Sequence, residues 1–236
     1  TLLFYQRGGE LYADDGMRIN LDSNLALDTF KELCDMFTQY KFPLTYDFAN
    51  RFRTGEMPIA VADYTSYNQL TIFAPEISGL WEMFIMPGTL QEDGSINYTQ
   101  VDSALTGVIM LESAERKDDC WEFIKWWCSS EAQTRYALDV EASLGIAARA
   151  NTANLTTMEK LGWTRDELAV LKEQASHLEF LPIVPGYYYV TRGLQNAKRG
   201  VIYDNENARE LLTELGSKRD TDYETRLEEL IDSDAY

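Results

Sequence analysis

Two short stretches interleave aromatic rings with hydroxyl, amide and charged side chains. Residues 63–69 read Asp-Tyr-Thr-Ser-Tyr-Asn-Gln, and residues 185–192 read Pro-Gly-Tyr-Tyr-Tyr-Val-Thr-Arg. Tyrosine rings offer flat apolar faces that can cover the C–H faces of a sugar ring, while neighbouring polar groups can form hydrogen bonds with its hydroxyls. Such binding requires neither an acid nor a base. The alternative interpretation of both stretches is ordinary half-buried packing.

The sequence lacks most of the patterns that carry catalysis or phosphate binding. His177 is the only histidine, which excludes an H-E-x-x-H zinc site, and neither a G-x-S-x-G elbow nor a G-x-x-x-x-G-K-[ST] loop occurs. Acidic residues are numerous enough for a glycosidase carboxylate pair, but most lie on predicted polar helix faces, as at 118–119 and 228–229. We therefore predict no catalytic residue, no cofactor and no metal site.

The composition indicates a folded and strongly acidic protein. The chain has 236 residues, of which 45% are hydrophobic, and its formal net charge is −18. This charge argues against binding nucleic acid and against docking on anionic lipid through a basic patch; its ordinary meaning is solubility. The chain opens at Thr1 without a methionine and with a strand-like sequence, so we interpret it as a fragment whose signal or anchor would lie upstream.

The three cysteines, Cys34, Cys120 and Cys128, match neither a disulfide framework nor a zinc site. Each falls on the apolar face of a predicted helix. We therefore predict buried free thiols, and the cysteines leave the redox compartment open.

One change of pattern places the first aromatic stretch at the end of a strand. Residues 52–64 read as a helix end, a stop at Gly55, a buried strand at 57–62 and a polar edge that opens a new helix. Strand-to-helix switches place side chains and free backbone N–H groups at the rim of an α/β sheet, where ligands bind.

The remaining pattern predicts a mixed α/β lobe. Helices are predicted at 23–40, 46–54, 65–73 and from Ser113 onward, and strands at 57–62, 80–86 and 101–111. Gly107 within the last strand suggests a bulge or a close backbone approach. Capping boxes are predicted at 130–133, 164–167 and 221–224, and Asp204 is predicted to cap a helix that carries Ala208 and Leu211. This order predicts a small sheet and a helical tail rather than a doubly wound nucleotide fold.

Three segments resemble, in order, the motifs of family 1 extracellular solute-binding proteins, the capture subunits of ABC importers. Residues 52–62 resemble the "F-x-x-G-x-x-A-M" signature, with Val61 in place of Met. Residues 118–133 resemble the "A-W-E-F-I-K-W-L-x-S-x-E-A-Q" helix pair, and residues 143–149 resemble the "G-x-x-P-x-R" turn with alanine in place of Pro. Residues 186–227 are similar to long Firmicutes-type sugar-importer lipoproteins, which carry a "Y-x-x-R-x-x-x-N-A" helix.

The resemblance implies a periplasmic-binding-protein-like type II lobe, with a small mixed sheet flanked by helices and a helical C-terminal tail. The chain would be the C-terminal portion of such a protein. Residues 1–185 would form the second lobe, with a hinge segment near 4–9, and residues 186–236 would form hinge-proximal and terminal helices that pack on the same unit. Lobes of this family close around a small ligand by hinge bending, so a chain with one wall of the cleft should bind weakly or not at all.

The resemblance also implies a function and a set of ligand-binding residues. The expected function is non-enzymatic capture of a carbohydrate or oligosaccharide for delivery to a membrane permease, outside the cell or in the periplasm, with any membrane anchor outside this chain. The alternatives are a peptide or another small solute as ligand, a glycan-acting enzyme, and a tyrosine-rich protein-interaction domain. Arg149 is expected to hold its turn. The expected ligand-binding residues are Tyr64, Ser66, Tyr67, Gly107, Ser143, Gln6, Tyr187 and Arg192.

Overall fold

The computed structural model describes residues 1–13, 18–102, 106–181, 184, 187–216 and 225, and these fall into two compact units. Unit 1 comprises Thr1–Thr45, Pro87–Ser103 and His177–Tyr236. Unit 2 comprises Tyr46–Met86 and Ala104–Ser176. The lobe of residues 1–185, its hinge at 4–9 and the helices of 186–236 stay a prediction, because compact packing units do not measure a hinge motion.

The elements are helices and very short strands, with runs of consecutive helices from α2 to α4 and from α5 to α8. The helices are α1 (Leu2–Gln6), α2 (Asn24–Thr38), α3 (Phe48–Arg53), α4 (Thr65–Phe73), α5 (Lys117–Trp127), α6 (Ser130–Leu144), α7 (Leu155–Met158), α8 (Arg165–Ser176) and α9 (Tyr187–Tyr203). The strands are β1 (Tyr12–Ala13), β2 (Arg18–Ile19), β3 (Thr89–Leu90), β4 (Ile96–Asn97), β5 (Gln100–Asp102) and β6 (Leu178–Phe180). Residues 208–216 are also helical.

The strands described form three separate pairs, all within unit 1. β1 pairs with β2 and β3 pairs with β4, both antiparallel, whereas β5 and β6 are parallel with Val101 opposite Glu179. The turn between β3 and β4 closes through a hydrogen bond from the Gln91 amide to the Ser95 carbonyl, as the turn signals predict. The fold is therefore mixed α/β with small sheets, as the sequence predicts.

The core of unit 1 forms where α2 packs against α9. Ser23 caps α2, because its hydroxyl accepts a hydrogen bond from the Ala26 amide at 3.2 Å. The buried positions of α2 follow helical spacing, and burial of a side chain such as Phe30 stabilises the unit by roughly 1.5–3 kcal/mol. The α2 and α9 side chains of this core are Ala26, Leu27, Phe30, Cys34, Val190, Ala197 and Val201.

Unit 2 is built from helices with well-defined ends. Asp47 caps α3 through a hydrogen bond from the Asn50 amide, and Gly55, with φ of +76°, follows the end of that helix. Ser129 caps α6 through the Ala132 amide. At α8, the Thr164 hydroxyl accepts from the Glu167 amide while the Glu167 carboxylate accepts from the Thr164 amide. This reciprocal pair is the capping box predicted at 164–167.

Two predicted strands of unit 2 are wrong, and a third prediction is right only at its start. Residues 57–62 and 80–86 are not strands; of the strand predicted at 101–111, residues 101–102 belong to β5, and residues 106–111 are not a strand. The physical reason is that, within the described part of the chain, the backbones of 58–62, 81–85 and 106–110 have no hydrogen-bond partner. A strand requires a ladder, and apolar sequence alone does not supply one.

Predictions at the start of the chain and at Gly107 are also wrong. Residues 1–5 contribute to α1 rather than to a strand, because their amides bond back to carbonyls one turn earlier, as from Tyr5 to Thr1. Among the described residues, no neighbouring heavy atom lies within 4 Å of the position that a Cβ on Gly107 would occupy. In this part of the structure the glycine therefore serves neither a bulge nor a close backbone approach.

Several predicted helix ends differ from those in the structure. α5 begins at Lys117 rather than at Ser113, and the cap of α6 is Ser129 rather than Ser130. The side chain of Asn207, not that of Asp204, accepts from the Arg209 and Glu210 amides at the start of helical residues 208–216. The capping box predicted at 221–224 lies outside the described residues.

The cysteines differ in exposure. All three are free thiols, but only Cys34 is buried, while Cys120 is half-buried and Cys128 is exposed. The prediction of three buried thiols is therefore confirmed for Cys34, met only in part at Cys120 and wrong for Cys128. The apolar face of α5 remains uncovered toward its C-terminal end, where Phe123 and Trp126 are exposed. Of the helices that the structure describes, none is long and apolar enough to cross a membrane.

Candidate functional site

Four aromatic rings form a connected cluster in unit 2. The ring centroids of Tyr67 and Trp163 are 5.0 Å apart, those of Tyr67 and Trp81 are 5.6 Å apart, and those of Tyr64 and Trp163 are 6.2 Å apart. All three contacts are edge-to-face, the arrangement that the ring quadrupoles favour. The rings are half-buried, so each leaves part of its surface available to a ligand.

Arg149 extends this cluster with a fixed positive charge. Its guanidinium carbon lies 4.8 Å from the centre of the Trp163 ring, a cation–π contact. Its Nε and Nη2 atoms donate to the two carboxylate oxygens of Glu141 at 2.9 and 2.7 Å. These hydrogen bonds hold the pKa of Glu141 below its ordinary value and raise that of Arg149. The arginine therefore stays charged although its side chain is only 4% exposed.

The N-terminal half of α4 is tied to the segment that carries Arg149. The side-chain amide of Asn68 donates to the Arg149 carbonyl at 3.0 Å. The Tyr64 hydroxyl accepts from the Thr152 amide at 2.8 Å. Both bonds are between residues more than eighty positions apart in sequence, so they fix the geometry of a site that no local pattern could specify. The expected role of Arg149 in its turn accords with these contacts.

A cavity of about 460 Å³ opens between α4 and residues 147–151. This volume falls in the range of small-molecule sites. Two of its lining residues carry buried polar atoms, Asn68 Oδ1 and Arg149 Nη1, that have no hydrogen-bond partner among the described residues. Amide, hydroxyl and guanidinium groups beside apolar side chains could bind an uncharged polyhydroxyl compound. The lining residues are Thr65, Asn68, Gln69, Ile72, Phe73, Ala147, Arg149 and Asn151.

The structure places Tyr64, Tyr67 and Ser66 around the start of α4. The two tyrosines meet through Trp163, while Ser66 is half-buried in the first turn of the helix. Burial raises the pKa of both tyrosines, and a hydrogen bond to Glu167 adds to the rise at Tyr67. Both phenols are therefore neutral at physiological pH. Their assignment to a ligand stays a prediction.

The structure records no contact between this cluster and the other two expected ligand residues of unit 2. Gly107 is exposed, and among the described residues the position that a Cβ would occupy is open. Ser143 is also exposed, and its hydroxyl donates to the Asp139 carbonyl one turn earlier in α6 at 2.7 Å. Neither is brought against the aromatic rings by a contact that the structure records. Their roles remain predictions.

The remaining three expected residues belong to unit 1. Gln6 is buried, and its side chain donates to the Pro87 carbonyl at 3.0 Å and accepts from the Thr89 hydroxyl at 2.9 Å. Both of its polar groups therefore have protein partners already. Tyr187 is half-buried at the start of α9, and the Arg192 guanidinium donates to the Tyr188 hydroxyl at 3.0 Å. The predicted roles of Gln6, Tyr187 and Arg192 are untested by these contacts.

Sequence reasoning missed Trp81 and Trp163 as members of the cluster. Trp163 immediately precedes the capping box at 164–167, so its place at a helix start was readable from the sequence. Trp81 lies in the segment 80–86, which the sequence predicts as a strand. What the sequence could not show is that α4 brings Tyr67 between these two rings, because that contact depends on tertiary packing.

Metal binding has no support in the described ranges, where no group of three or more His, Cys, Asp and Glu side chains could hold an ion. His177 instead packs its ring on Tyr98 with 5.3 Å between centroids. The histidine lies just past the end of α8 and behaves as the ordinary helix-end residue that the sequence predicts.

No protein-family profile and no curated protein sequence matches the chain. Solved structures do match. An ABC transporter solute-binding protein from Thermotoga lettingae bound with α-D-tagatose is 15% identical, with a TM-score of 0.64 over 94% of this chain and 55% of its own. The sugar-binding protein MalE from Xanthomonas citri is 15% identical, with a TM-score of 0.67 over 95% of this chain and 55% of its own. An ABC substrate-binding protein from Listeria monocytogenes in complex with cycloalternan is 12% identical, with a TM-score of 0.59 over 93% of this chain and 54% of its own.

These likenesses establish the fold. The chain has the mixed α/β architecture of periplasmic-binding-protein-like folds, with helices and small sheets, as predicted. It spans about half the length of each of these solved structures.

Proposed function

We propose that this chain is part of the substrate-capture protein of an ABC importer and that its ligand is a carbohydrate or oligosaccharide. The observation that carries this proposal is the likeness, over more than nine-tenths of the chain, to binding proteins described as sugar-binding or bound to a sugar. The motif order that resembles family 1 solute-binding proteins supports the same function. The finer identification with Firmicutes-type lipoproteins, and with the C-terminal portion of one, belongs to this proposal.

The chemistry of unit 2 suits a sugar. Half-buried rings at Tyr67 and Trp163 offer C–H-stacking surfaces beside the cavity that Arg149 lines. The cavity supplies hydroxyl, amide and guanidinium groups, which together can satisfy the mixed donor and acceptor character of sugar hydroxyls. Tyr64, Ser66, Tyr67, Gly107, Ser143, Gln6, Tyr187 and Arg192 are the proposed ligand-binding residues, and we add Asn68 and Trp163.

The proposed protein binds and releases its solute without catalysing a reaction. The full-length protein would capture its solute outside the cell or in the periplasm and deliver it to a membrane permease, with any lipoprotein anchor outside this chain. Binding proteins of this kind release their ligand chemically unchanged, so no general acid or base is required. Incubation with a bound oligosaccharide should therefore yield no hydrolysis product.

A thermal-shift screen on the full-length protein tests the ligand class. A ligand that binds only the folded state stabilises that state and so raises the melting temperature. At a ligand concentration one hundred times Kd, the stabilisation is about 2.7 kcal/mol. Monosaccharides including α-D-tagatose, linear oligosaccharides, cycloalternan and short peptides are compared at equal concentration. We expect a rise with at least one sugar and none with peptides. A rise with peptides alone would assign the protein to another solute class.

Paired variants test whether the aromatic cluster contributes. Tyr67→Leu removes a ring between Trp81 and Trp163, whereas Tyr136→Leu removes a ring of the same unit that contacts Trp127 instead. Each variant is compared with its own unliganded melting temperature, which separates binding from stability. We expect Tyr67→Leu to lose most of the sugar-induced shift and Tyr136→Leu to keep it. Equal shifts in both variants would remove the cluster from the proposal.

A further inference from the structure

The cavity between α4 and residues 147–151 carries a positive charge that is already paired. Of the described residues that line the cavity, only Arg149 is charged. Its guanidinium donates to both carboxylate oxygens of Glu141, at 2.9 and 2.7 Å, and the two side chains are only 4% and 21% exposed. Because a bidentate pair of this kind satisfies the charge of the arginine, the guanidinium has little attraction left for a second anion.

Two further carboxylates lie at the starts of the helices beside the cavity. The carboxylate of Asp63 accepts a hydrogen bond at 3.0 Å from the amide of Thr65, which lines the cavity. Glu167 lies in the first turn of α8. The pKa of Arg149 is raised chiefly by its hydrogen bonds with Glu141, and the charge of Glu167 adds to the rise. Three carboxylates therefore accompany one guanidinium, so an anionic ligand would meet a net negative surrounding.

Two buried polar atoms of the lining require opposite partners. Arg149 Nη1 is a donor and Asn68 Oδ1 is an acceptor, and neither has a hydrogen-bond partner among the described residues. Both residues are only 7% exposed. A hydroxyl group can accept from the first atom and donate to the second, whereas a carboxylate cannot donate and an ammonium group cannot accept. A single ligand group that satisfies both atoms is therefore uncharged.

We propose that this cavity selects uncharged, hydroxyl-bearing sugars and rejects both uronates and amino sugars, and that Asn68 and the Glu141–Arg149 pair set this specificity. This charge rule rests on the proposed function, whose ligand is a carbohydrate, and adds the charge class of that ligand. A uronate would place its carboxylate beside those of Glu141 and Glu167 and would leave Asn68 Oδ1 without a donor. An amino sugar would place its ammonium group beside the guanidinium of Arg149.

Matched sugars test the charge rule in the full-length protein. D-Glucose, D-galactose and D-mannose are each compared with their uronate and their 2-amino derivative in a thermal-shift assay, at equal concentration and at an ionic strength equalised with sodium chloride. We expect the neutral member of at least one set to raise the melting temperature. Its charged derivatives should bind about 100-fold more weakly or worse, and so leave the melting temperature unchanged. A uronate or an amino sugar that raises the melting temperature as much as its neutral parent would overturn the charge rule.

Glu141→Gln removes the counter-ion of Arg149 and should reverse the rejection of uronates. In this variant a uronate should raise the melting temperature above that in sodium chloride, because its carboxylate can pair with the freed guanidinium. Glu159→Gln is the control, since it frees the charge of Lys172, which is not among the residues that line the cavity. Each variant is compared with its own melting temperature without sugar, which separates binding from stability. Equal responses of the two variants to uronates would overturn the charge rule.

Gln69→Lys provides a second variant that leaves the Glu141–Arg149 pair intact. Gln69 lines the cavity and is exposed, so a lysine at this position adds a positive charge without disturbing a core. Gln39→Lys makes the same change of charge at an exposed position of unit 1. We expect uronates to raise the melting temperature of Gln69→Lys and not that of Gln39→Lys. The same response in both would mean that charge at the cavity does not select the ligand.

The charge rule and the proposed function can fail separately. If no sugar raised the melting temperature of the wild-type protein, the carbohydrate ligand would be contradicted, while the responses of Glu141→Gln and Gln69→Lys to uronates would still decide the charge rule. If uronates stabilised the wild-type protein, the charge rule would be overturned and the carbohydrate ligand would stand. If neither variant gained a response to uronates, the charge rule would be overturned as well.

Discussion

Glu141 holds a buried guanidinium against the Trp163 ring. The Arg149 side chain is 4% exposed and its two bonds to Glu141 are those of a bidentate pair, so removing the carboxylate leaves a buried charge without its counter-ion. We expect Glu141→Gln to lower the free energy of unfolding by about 3 kcal/mol, measured by urea denaturation at pH 7. Glu159→Gln is the control, because its partner Lys172 is half-exposed and the pair lies at the surface; it should have little effect.

The same pair predicts a pH dependence. The pKa of Glu141 is lowered in the folded protein by its hydrogen bonds to Arg149, so the pair stabilises the protein fully above the ordinary carboxyl pKa of 4.5. That contribution is lost as the pH falls through the lowered value. Wild type and Glu141→Gln should therefore differ most near neutral pH and converge as the pH falls below 4.5. If wild type and Glu141→Gln differed in stability by the same amount down to the lowest pH at which the protein stays folded, the ionised carboxylate would not be the source of the stabilisation.

The thiols should react in order of exposure. Burial is the main cause that raises the pKa of Cys34 to about 11, so at pH 8 this residue is both inaccessible and protonated. With a chromogenic disulfide reagent we expect exposed Cys128 to react first, half-buried Cys120 more slowly, and Cys34 only on unfolding. Cys128→Ser should remove the fast phase alone. Three thiols that react together in the native protein would contradict the burial of Cys34.

At the level of elements, the start of helical residues 208–216 offers a clean test of capping. Asn207 Oδ1 accepts from the Arg209 and Glu210 amides at 2.9 and 3.3 Å, whereas the side chain of nearby Asp204 has no hydrogen bond among the described residues. We expect Asn207→Ala to cost about 1 kcal/mol in urea denaturation and Asp204→Ala to stay within about 0.5 kcal/mol. A larger loss of stability from Asp204→Ala than from Asn207→Ala would show that Asp204 caps the helix, as the sequence predicts.

Helices were predictable because their signals are local. The spacing of Ala26, Phe30 and Cys34, and the reciprocal cap at Thr164 and Glu167, are contained within one or two turns of chain. A choice between adjacent candidates such as Ser129 and Ser130 is different, because either residue satisfies the same pattern and backbone geometry selects one. The order of elements and the resemblance were enough to predict the fold class. They were not enough to predict the residue at which each helix begins or ends.

Strands and the site depended on partners that the local sequence does not specify. Residues 57–62 have strand composition, yet composition cannot supply the neighbouring strand that a ladder requires. Likewise Tyr64 and Tyr67 were identifiable as an edge, but their contacts with Trp163 join residues almost one hundred positions apart. Trp81 and Asn68 entered the cluster and cavity through packing alone. The sequence therefore located one wall of the site and not the residues that complete it.

For the molecule as a whole, the excess of negative charge should make stability depend on salt. Asp and Glu number 39 against 21 Lys and Arg, so the compact state carries self-repulsion that dissolved ions screen. We expect the melting temperature to rise between low and 0.5 M sodium chloride, by about 2–4 °C for each 1 kcal/mol of relieved repulsion. Sodium chloride is preferred to sulfate, which also strengthens apolar burial. A falling melting temperature would mean that salt weakens attractive ion pairs more than it relieves repulsion.

Because α2 packs against α9, its apolar face stays uncovered during synthesis until α9 has been made. About 150 residues separate the end of α2 from the start of α9, which a ribosome adds in roughly 8–30 s at about 5–20 residues per second. Throughout that interval the apolar stripe of α2, including Phe30 and Cys34, lacks the α9 side chains that cover it in the finished core. The nascent chain therefore presents an amphipathic helix to the cell before its partner exists. Chaperone capture of ribosome-bound chains should end once α9 has left the exit tunnel.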